Sequence, residues 1–274
     1  MDLYQGPQGK PVERAERKFR GISGSTLKMI AVVTMLIDHI AAGVLGRFMV
    51  ISGADSIGQN DTTALQQWIM QNQDLFGVYS VMRMIGRIAF PIYCFLLVQG
   101  FVHTGNRMKY AARLFLFAVI SEVPFDLLFN SRILETGYQN VFFTLFFGLM
   151  AMIGLDWVQE RKDMHIAVKV LLNLVIIGGC MALAANMKTD YAEIGVACIV
   201  ILYLFRNKKG IQILAGCASF MWELTAPLAF VPIAFYNGKR GWNLKYFFYL
   251  FYPVHLLLLY FLCMALGVQS YSIL

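Results

Sequence analysis

Lys28 and His39, eleven positions apart, lie in one apolar run, LKMIAVVTMLIDHIAAGVLGR, which occupies residues 27–47. As a helix the run is long enough to cross a bilayer, and ionisable groups inside such a segment are costly unless they serve a function. Eleven positions are close to three helical turns, so both side chains fall on one stripe about 16 Å apart along the axis. A cation at the membrane surface therefore looks toward an imidazole inside it. Imidazole is the side chain that accepts and returns a proton near neutral pH. Asp38 adjoins His39, but successive helical residues point about 100° apart, so a group orienting the imidazole has to come from another helix.

The composition says what carries these residues. With 274 residues, 58% of them apolar and 14% aromatic, and a mean hydropathy of +0.61, the chain has more apolar surface than one soluble core can bury. It reads as an all-α, polytopic transmembrane helical bundle. The formal charge of +7 resides in short loops between apolar runs, which is the pattern of cytosolic loops rather than of a nucleic-acid surface. The five cysteines stand singly in apolar stretches. They are small hydrophobes, and no metal site is expected. No cleavable signal peptide is evident, because the first apolar run follows a long charged lead.

Residues 1–24 form a basic, cytosolic lead, residues 25–266 the membrane domain, and residues 267–274 a short tail. The first span runs from about Ser25, as N-cap, to Phe48. An outer segment without Lys or Arg follows, with a short interfacial helix over Thr62 to Asn72. Met82 to Val102 is the second span, with Arg83 snorkelling at the outer surface, Arg87 one turn deeper and a kink at Pro91. Further spans are expected at Ala111–Phe129, Asn140–Trp157, Ile166–Ala185, Tyr191–Phe205 and Tyr246–Leu266. The stretch Ile211 to Tyr236 is expected to fold as two short arms turning near Trp222 and Glu223, which keeps Lys239, Arg240 and Lys245 cytosolic. This makes nine spans with the N-terminus inside, in the cell (plasma) membrane.

On this topology the ionisable groups sort by depth. His39 and His255 fall near mid-membrane, whereas Arg87, Glu122, Asp126, Asp190, Glu193 and Glu223 fall in or just above the outer half. The cytosolic ends are basic. A phosphorylated anionic donor on the inside and a polar cavity open to the outside fit both facts. Arg87, Glu122 and Asp126 serve equally well as ion pairs holding the second and third spans together, and His255, after a Tyr-Pro pair, as a cap on a helix break.

The runs LKMIAVVTMLIDHIAAG, MRMIGRIAFPIYCFLLVQGF, SEVPFDLLF, NVFFTLFFGL, DYAEIGV and YPVHLLLLY, taken in this order, resemble the TraX family from about Gly24 to Tyr260. That family is best known for N-terminal acetylation of the pilin of conjugative pili. Lys28 and His39 are also similar to the basic-x10-His pattern on the first helix of the broader integral-membrane acyltransferase superfamily. The resemblance implies a membrane acyltransferase that takes acetyl-CoA from the cytosol, needs no metal, and passes the acetyl group to an extracytoplasmic acceptor such as a protein, peptide or glycan. His39 is then the catalytic histidine and Lys28 the donor-side cation. Donor phosphates would be held by Lys28 with some of Arg107, Lys109, Arg113, Lys208 and Arg240. Arg87 would polarise the thioester carbonyl or hold an anionic acceptor, and Glu122 or Asp126 would orient the imidazole. Asp190, Glu193, Glu223 and His255 would meet the acceptor. Membrane lipid is the expected surrounding, and nucleic acid is not a partner. A transporter or flippase with a polar intramembrane pathway is the alternative, weakened by the lack of internal repeats. A structural membrane subunit without chemistry is the third reading.

Overall fold

The computed structural model describes residues 21–58, 61–242 and 245–273. Most of the basic lead, through position 20, lies outside the described residues. Among those described, all regular elements are helical, apart from isolated bridges between Ile22 and Tyr236 and between Gln139 and Thr189.

Helix α1 spans Gly24–Ile51 and is capped by Ser23, whose side chain accepts from the Thr26 amide. The cap is therefore two residues earlier than expected. Ser25 has another task, accepting from the Trp242 amide at 3.0 Å. Immediately after His39 the helix widens into a π turn, Ile40–Leu45. Insertions of this kind re-aim side chains and are frequent at functional sites. The wide turn also packs closely against its neighbours. A β-carbon on Gly43 would lie 2.8 Å from Leu128, and the Gly43 carbonyl accepts from the guanidinium of Arg47 at 2.7 Å. Arg47 is fully buried. It also donates to the Leu127 carbonyl and the Ser131 hydroxyl, so it ties α1 to the end of the helix Arg107–Asn130 rather than to a carboxylate.

A short helix, α2 (Thr62–Gln71), is followed directly by α3, Gln73–His103. The segment before Met82, expected as loop, thus lengthens the second span outward. The helix breaks at Arg87 and Ile88. Pro91 has no N–H to offer the Arg87 carbonyl four residues earlier, which accounts for the position. The remaining helices are α4 (Arg107–Asn130), α5 (Val141–Glu160), α6 (Ile166–Asn186), α7 (Ala192–Leu204), α8 (Lys209–Ser219), α9 (Phe230–Ala234) and α10 (Lys245–Ala265). Asn106 and Asn140 cap α4 and α5 through their side chains.

Among the described residues, five helices are long and apolar enough to cross a membrane: α1, α3, α5, α6 and, within α10, Phe247–Ala265. This is fewer than the nine spans expected. The shortfall has three causes. Charged residues interrupt α4, α7 has only 13 residues, and α8 and α9 have 11 and 5. Between α8 and α9 the chain does turn back as two short arms. Tyr236 pairs with Ile22, and the carbonyls of Lys239 and Arg240 accept from the Gly24 and Ser25 amides at 2.8 and 2.9 Å. Arg240 is thereby brought to the Lys28 end of α1.

Two apolar cores hold the bundle. The larger one joins α3, α5, α7 and the α8–α9 arms around residues such as Phe95, Leu149, Ile199 and Phe230. The smaller one joins α1, α4 and α10 around Leu128, Phe129, Tyr252 and Leu256. His39 lies beside this second core.

Candidate functional site

Two cavities enter the bundle from opposite ends and share a wall. The larger, about 650 Å³, opens at the N-terminal end of α1 and is lined there by Ser25, Lys28, His103, Arg113, Arg240 and Trp242. No acidic side chain is among its described lining residues. Lys28 is held over the Phe248 ring, 5.2 Å from its centroid, and Arg113 stands 5.9 Å from that of Tyr110. Deeper in, the walls turn apolar with Leu97, Phe142 and Leu145.

The smaller cavity, about 210 Å³, is lined by Asp38, His39, Arg83, Arg87, Tyr138, Asp190 and Tyr191 together with Phe90, Phe125 and Phe129. Its charges are held in pairs. Arg83 donates to Asp38 at 2.7 Å, and Nε of Arg87 lies 3.3 Å from a Glu223 oxygen. The Tyr138 hydroxyl donates to Asp190 at 2.8 Å. Burial makes such pairing obligatory, because an unpaired charge at this depth would be far more costly than a paired one. Met35, Tyr93, Val141 and Tyr252 line both cavities, so they form the partition between them.

His39 stands at that partition with the edges of Phe129 and Tyr252 against it, at centroid distances of 5.7 and 5.8 Å. Its Nδ1 is 2.6 Å from Nε2 of His255, and the two rings are nearly parallel, at 8°. Nδ1 of His255 is in turn 2.7 Å from the Phe251 carbonyl oxygen.

The residues expected from sequence divide accordingly. His39, Arg87 and Asp190 line the smaller cavity, and Lys28, Arg113 and Arg240 the larger. Glu223 is brought in through Arg87. His255 lines neither cavity; its place is behind His39 and not on an acceptor surface. Glu122 and Asp126 do not reach the imidazole. Glu122 accepts from Asn140 at 2.6 Å, whereas Asp126 accepts from Asn130 and from the Glu135 amide. Both therefore hold the end of α4 and the following loop. The expected pairing of Arg87 with these acids is replaced by Arg87 with Glu223. Arg107 is drawn away from the cavity by Asp156 and Glu160. Lys109 and Lys208 are exposed, and like Glu193 they line neither cavity.

Arg83, expected to snorkel outward, instead turns inward to Asp38. The spacing of four between Arg83 and Arg87 on one helix was the available signal that both face one way. The roles of Tyr93, Tyr138 and Tyr252 had no signal in a chain with 13 tyrosines.

No solved structure matches the chain. Among curated proteins, it is 27% identical over 272 residues to the "Probable fimbrial assembly protein FimC, serogroup H1" of Dichelobacter nodosus, an alignment covering 86% of this chain and 94% of that one. The family model described as TraX protein matches residues 23–263, which take in the paired histidines and all the lining residues of both cavities but Ile273. This membrane protein thus belongs to the TraX family.

Proposed function

We propose that the protein is a multi-pass plasma-membrane acyltransferase that carries an acetyl group from cytosolic acetyl-CoA to an acceptor on the opposite face. The observation that carries the reading is a pair of unlike cavities parted by Met35, Tyr93, Val141 and Tyr252, with His39 in the smaller one against Tyr252 of that partition. One has a mouth bearing Lys28, Arg113 and Arg240 and no acid, and the other holds paired acids and arginines. A volume of about 650 Å³ is within the range of small-molecule sites, and its gradient from basic mouth to apolar depth suits a ligand with phosphates at one end and a thioester at the other. Fimbrial assembly in the relative's name favours a pilin-type protein N-terminus as the acceptor.

In this reaction the imidazole takes the proton of the acceptor amine or hydroxyl as its nitrogen or oxygen attacks the thioester carbonyl. The C–S bond breaks, and the leaving thiolate receives the proton. Alternatively the imidazole attacks first and expels the thiolate, then yields the acetyl group to the acceptor, whose proton goes to that thiolate. Arg87, which lines the same cavity as His39, would stabilise negative charge on the carbonyl oxygen. The basic end faces the cytosol, with α4, α7 and the α8–α9 arms completing the passage alongside the five longer spans. Cysteines introduced at Gly137 should then be labelled from outside intact cells, and cysteines at Lys162 and Gly238 only after permeabilisation; external labelling at Gly238 would reverse the assignment of the donor mouth.

Purified protein incubated with labelled acetyl-CoA and a peptide bearing a free N-terminus should release CoA and label the peptide. Transport of label without CoA release would favour the transporter reading. Lys28→Ala should raise the KM for acetyl-CoA about fivefold while leaving kcat nearly unchanged. A cation at the mouth binds the donor equally in ground and transition states, and one charge-assisted contact at a half-exposed site is worth about 1 kcal/mol. A fall in kcat at constant KM would remove Lys28 from the donor mouth.

A further inference from the structure

His255 has no place in the reaction as described, yet it makes the closest polar contact to His39, and the chain of hydrogen bonds behind it has only one sense. The Phe251 carbonyl can only accept, so Nδ1 of His255, 2.7 Å away, carries a proton. A neutral imidazole has one N–H, which leaves Nε2 of His255 as an acceptor. Nδ1 of His39, 2.6 Å from it, must then be the donor. Among the described residues no carboxylate takes this position. Asp38 is engaged by Arg83, Glu122 by Asn140, and Asp126 by Asn130 and the Glu135 amide. With His255 only 4% exposed, a neutral pair is the arrangement that the surroundings support.

We propose that His255 is the positioning residue of His39, holding its imidazole as the Nδ1–H tautomer so that Nε2 is the atom that takes the acceptor's proton or attacks the thioester. The inference rests on the reading of His39 as the reacting base. Backbone carbonyl, second histidine and first histidine do here what a carboxylate does behind the histidine of a hydrolase triad. The proton gained at Nε2 is returned to the leaving thiolate, and His255 keeps its own proton on the Phe251 carbonyl throughout. The helix that carries His255 is the last among the described residues, and His255 is 216 residues from His39. The Phe251 ring stacks on His255 at 4.6 Å and 12°, which fixes the ring plane. Orientation of the base thus depends on α10 being seated against α1.

Two variants separate positioning from packing. His255→Leu keeps an apolar side chain of similar bulk but cannot accept a hydrogen bond. It should lower kcat by a hundredfold or more, with the KM for acetyl-CoA little changed, as loss of tautomer control does when the base itself remains. In His255→Gln the amide nitrogen can serve the Phe251 carbonyl while the oxygen accepts from His39, so most of the lost kcat should return. A readout without turnover comes from 15N-histidine NMR of the purified full-length protein, which has only four histidines to assign. His39 should show a proton on Nδ1 and a bare Nε2 in the wild type and in His255→Gln, and should lose that preference in His255→Leu. Retention of the tautomer and of kcat within threefold in His255→Leu would overturn the proposal. So would a His255→Gln protein as inactive as His255→Leu at equal membrane levels. If the wild type shows the tautomer but transfers no acyl group, the acyltransferase reading fails and the positioning contact stands.

Discussion

His39→Ala is expected to abolish acyl transfer while the protein still inserts and keeps its helical content. General acid–base help alone is worth about 10² to 10⁴ in rate, and the loss is larger if the imidazole carries the acetyl group. His39→Gln is the sharper test. Glutamine can hydrogen-bond to His255 and fill part of the space between Phe129 and Tyr252, but it cannot accept a proton near neutral pH. It should be nearly as inactive as alanine. CoA release and label transfer, measured on membranes matched for protein level, decide the matter. Activity of His39→Gln comparable to wild type would return His39 to a packing role.

Gly86→Ala should be the most damaging single-methyl change at the site. A β-carbon there would fall 2.5 Å from Cγ of Asp38 and closer still to its Cβ and Oδ1. Neither α1 nor α3 can yield without separating Asp38 from Arg83 and shifting His39. Overpacking of this kind typically costs about 1–3 kcal/mol, which for a chain of this size lowers the unfolding temperature by about 2–4 °C per kcal/mol. Thermal unfolding in detergent should show the drop, and acyl transfer should fall with it. Because Cβ of Asp38 is part of the collision, Asp38→Ala should not rescue Gly86→Ala, whereas Asp38→Gly should relieve the clash. Rescue by Asp38→Ala would mean that the helices are less tightly opposed at this point.

The partition between the cavities explains why these two positions matter most. A basic mouth would draw an anionic donor inward, while the ion pairs of Asp38 with Arg83 and of Arg87 with Glu223 lower the cost of holding charge beside the other cavity. His39 and Gly86 lie on α1 and α3, which face each other across the smaller cavity. Small displacements there move the imidazole relative to both chambers.

Much of this molecule was legible from the residue order, because the relevant signals are local. Apolar runs of sufficient length fixed α1, α5, α6 and most of α10, since in lipid the backbone must satisfy its hydrogen bonds within the segment. The same cost of burying charge singled out His39 and His255, and the alternation of basic loops gathered Lys28, Arg113 and Arg240 at one end. Pairing across helices was not legible, because it depends on rotation of each helix about its own axis and on which helices become neighbours. Arg87 has five acids at comparable depth to choose from in the sequence, and only the turn after α8 brings Glu223 to it. Glu122 and Asp126 share a face of α4 in the sequence, but Asn140, Asn130 and the Glu135 amide claim them before they reach the imidazole. The partner of His39 is set by the docking of α10 against α1, a contact that no local pattern in either helix encodes.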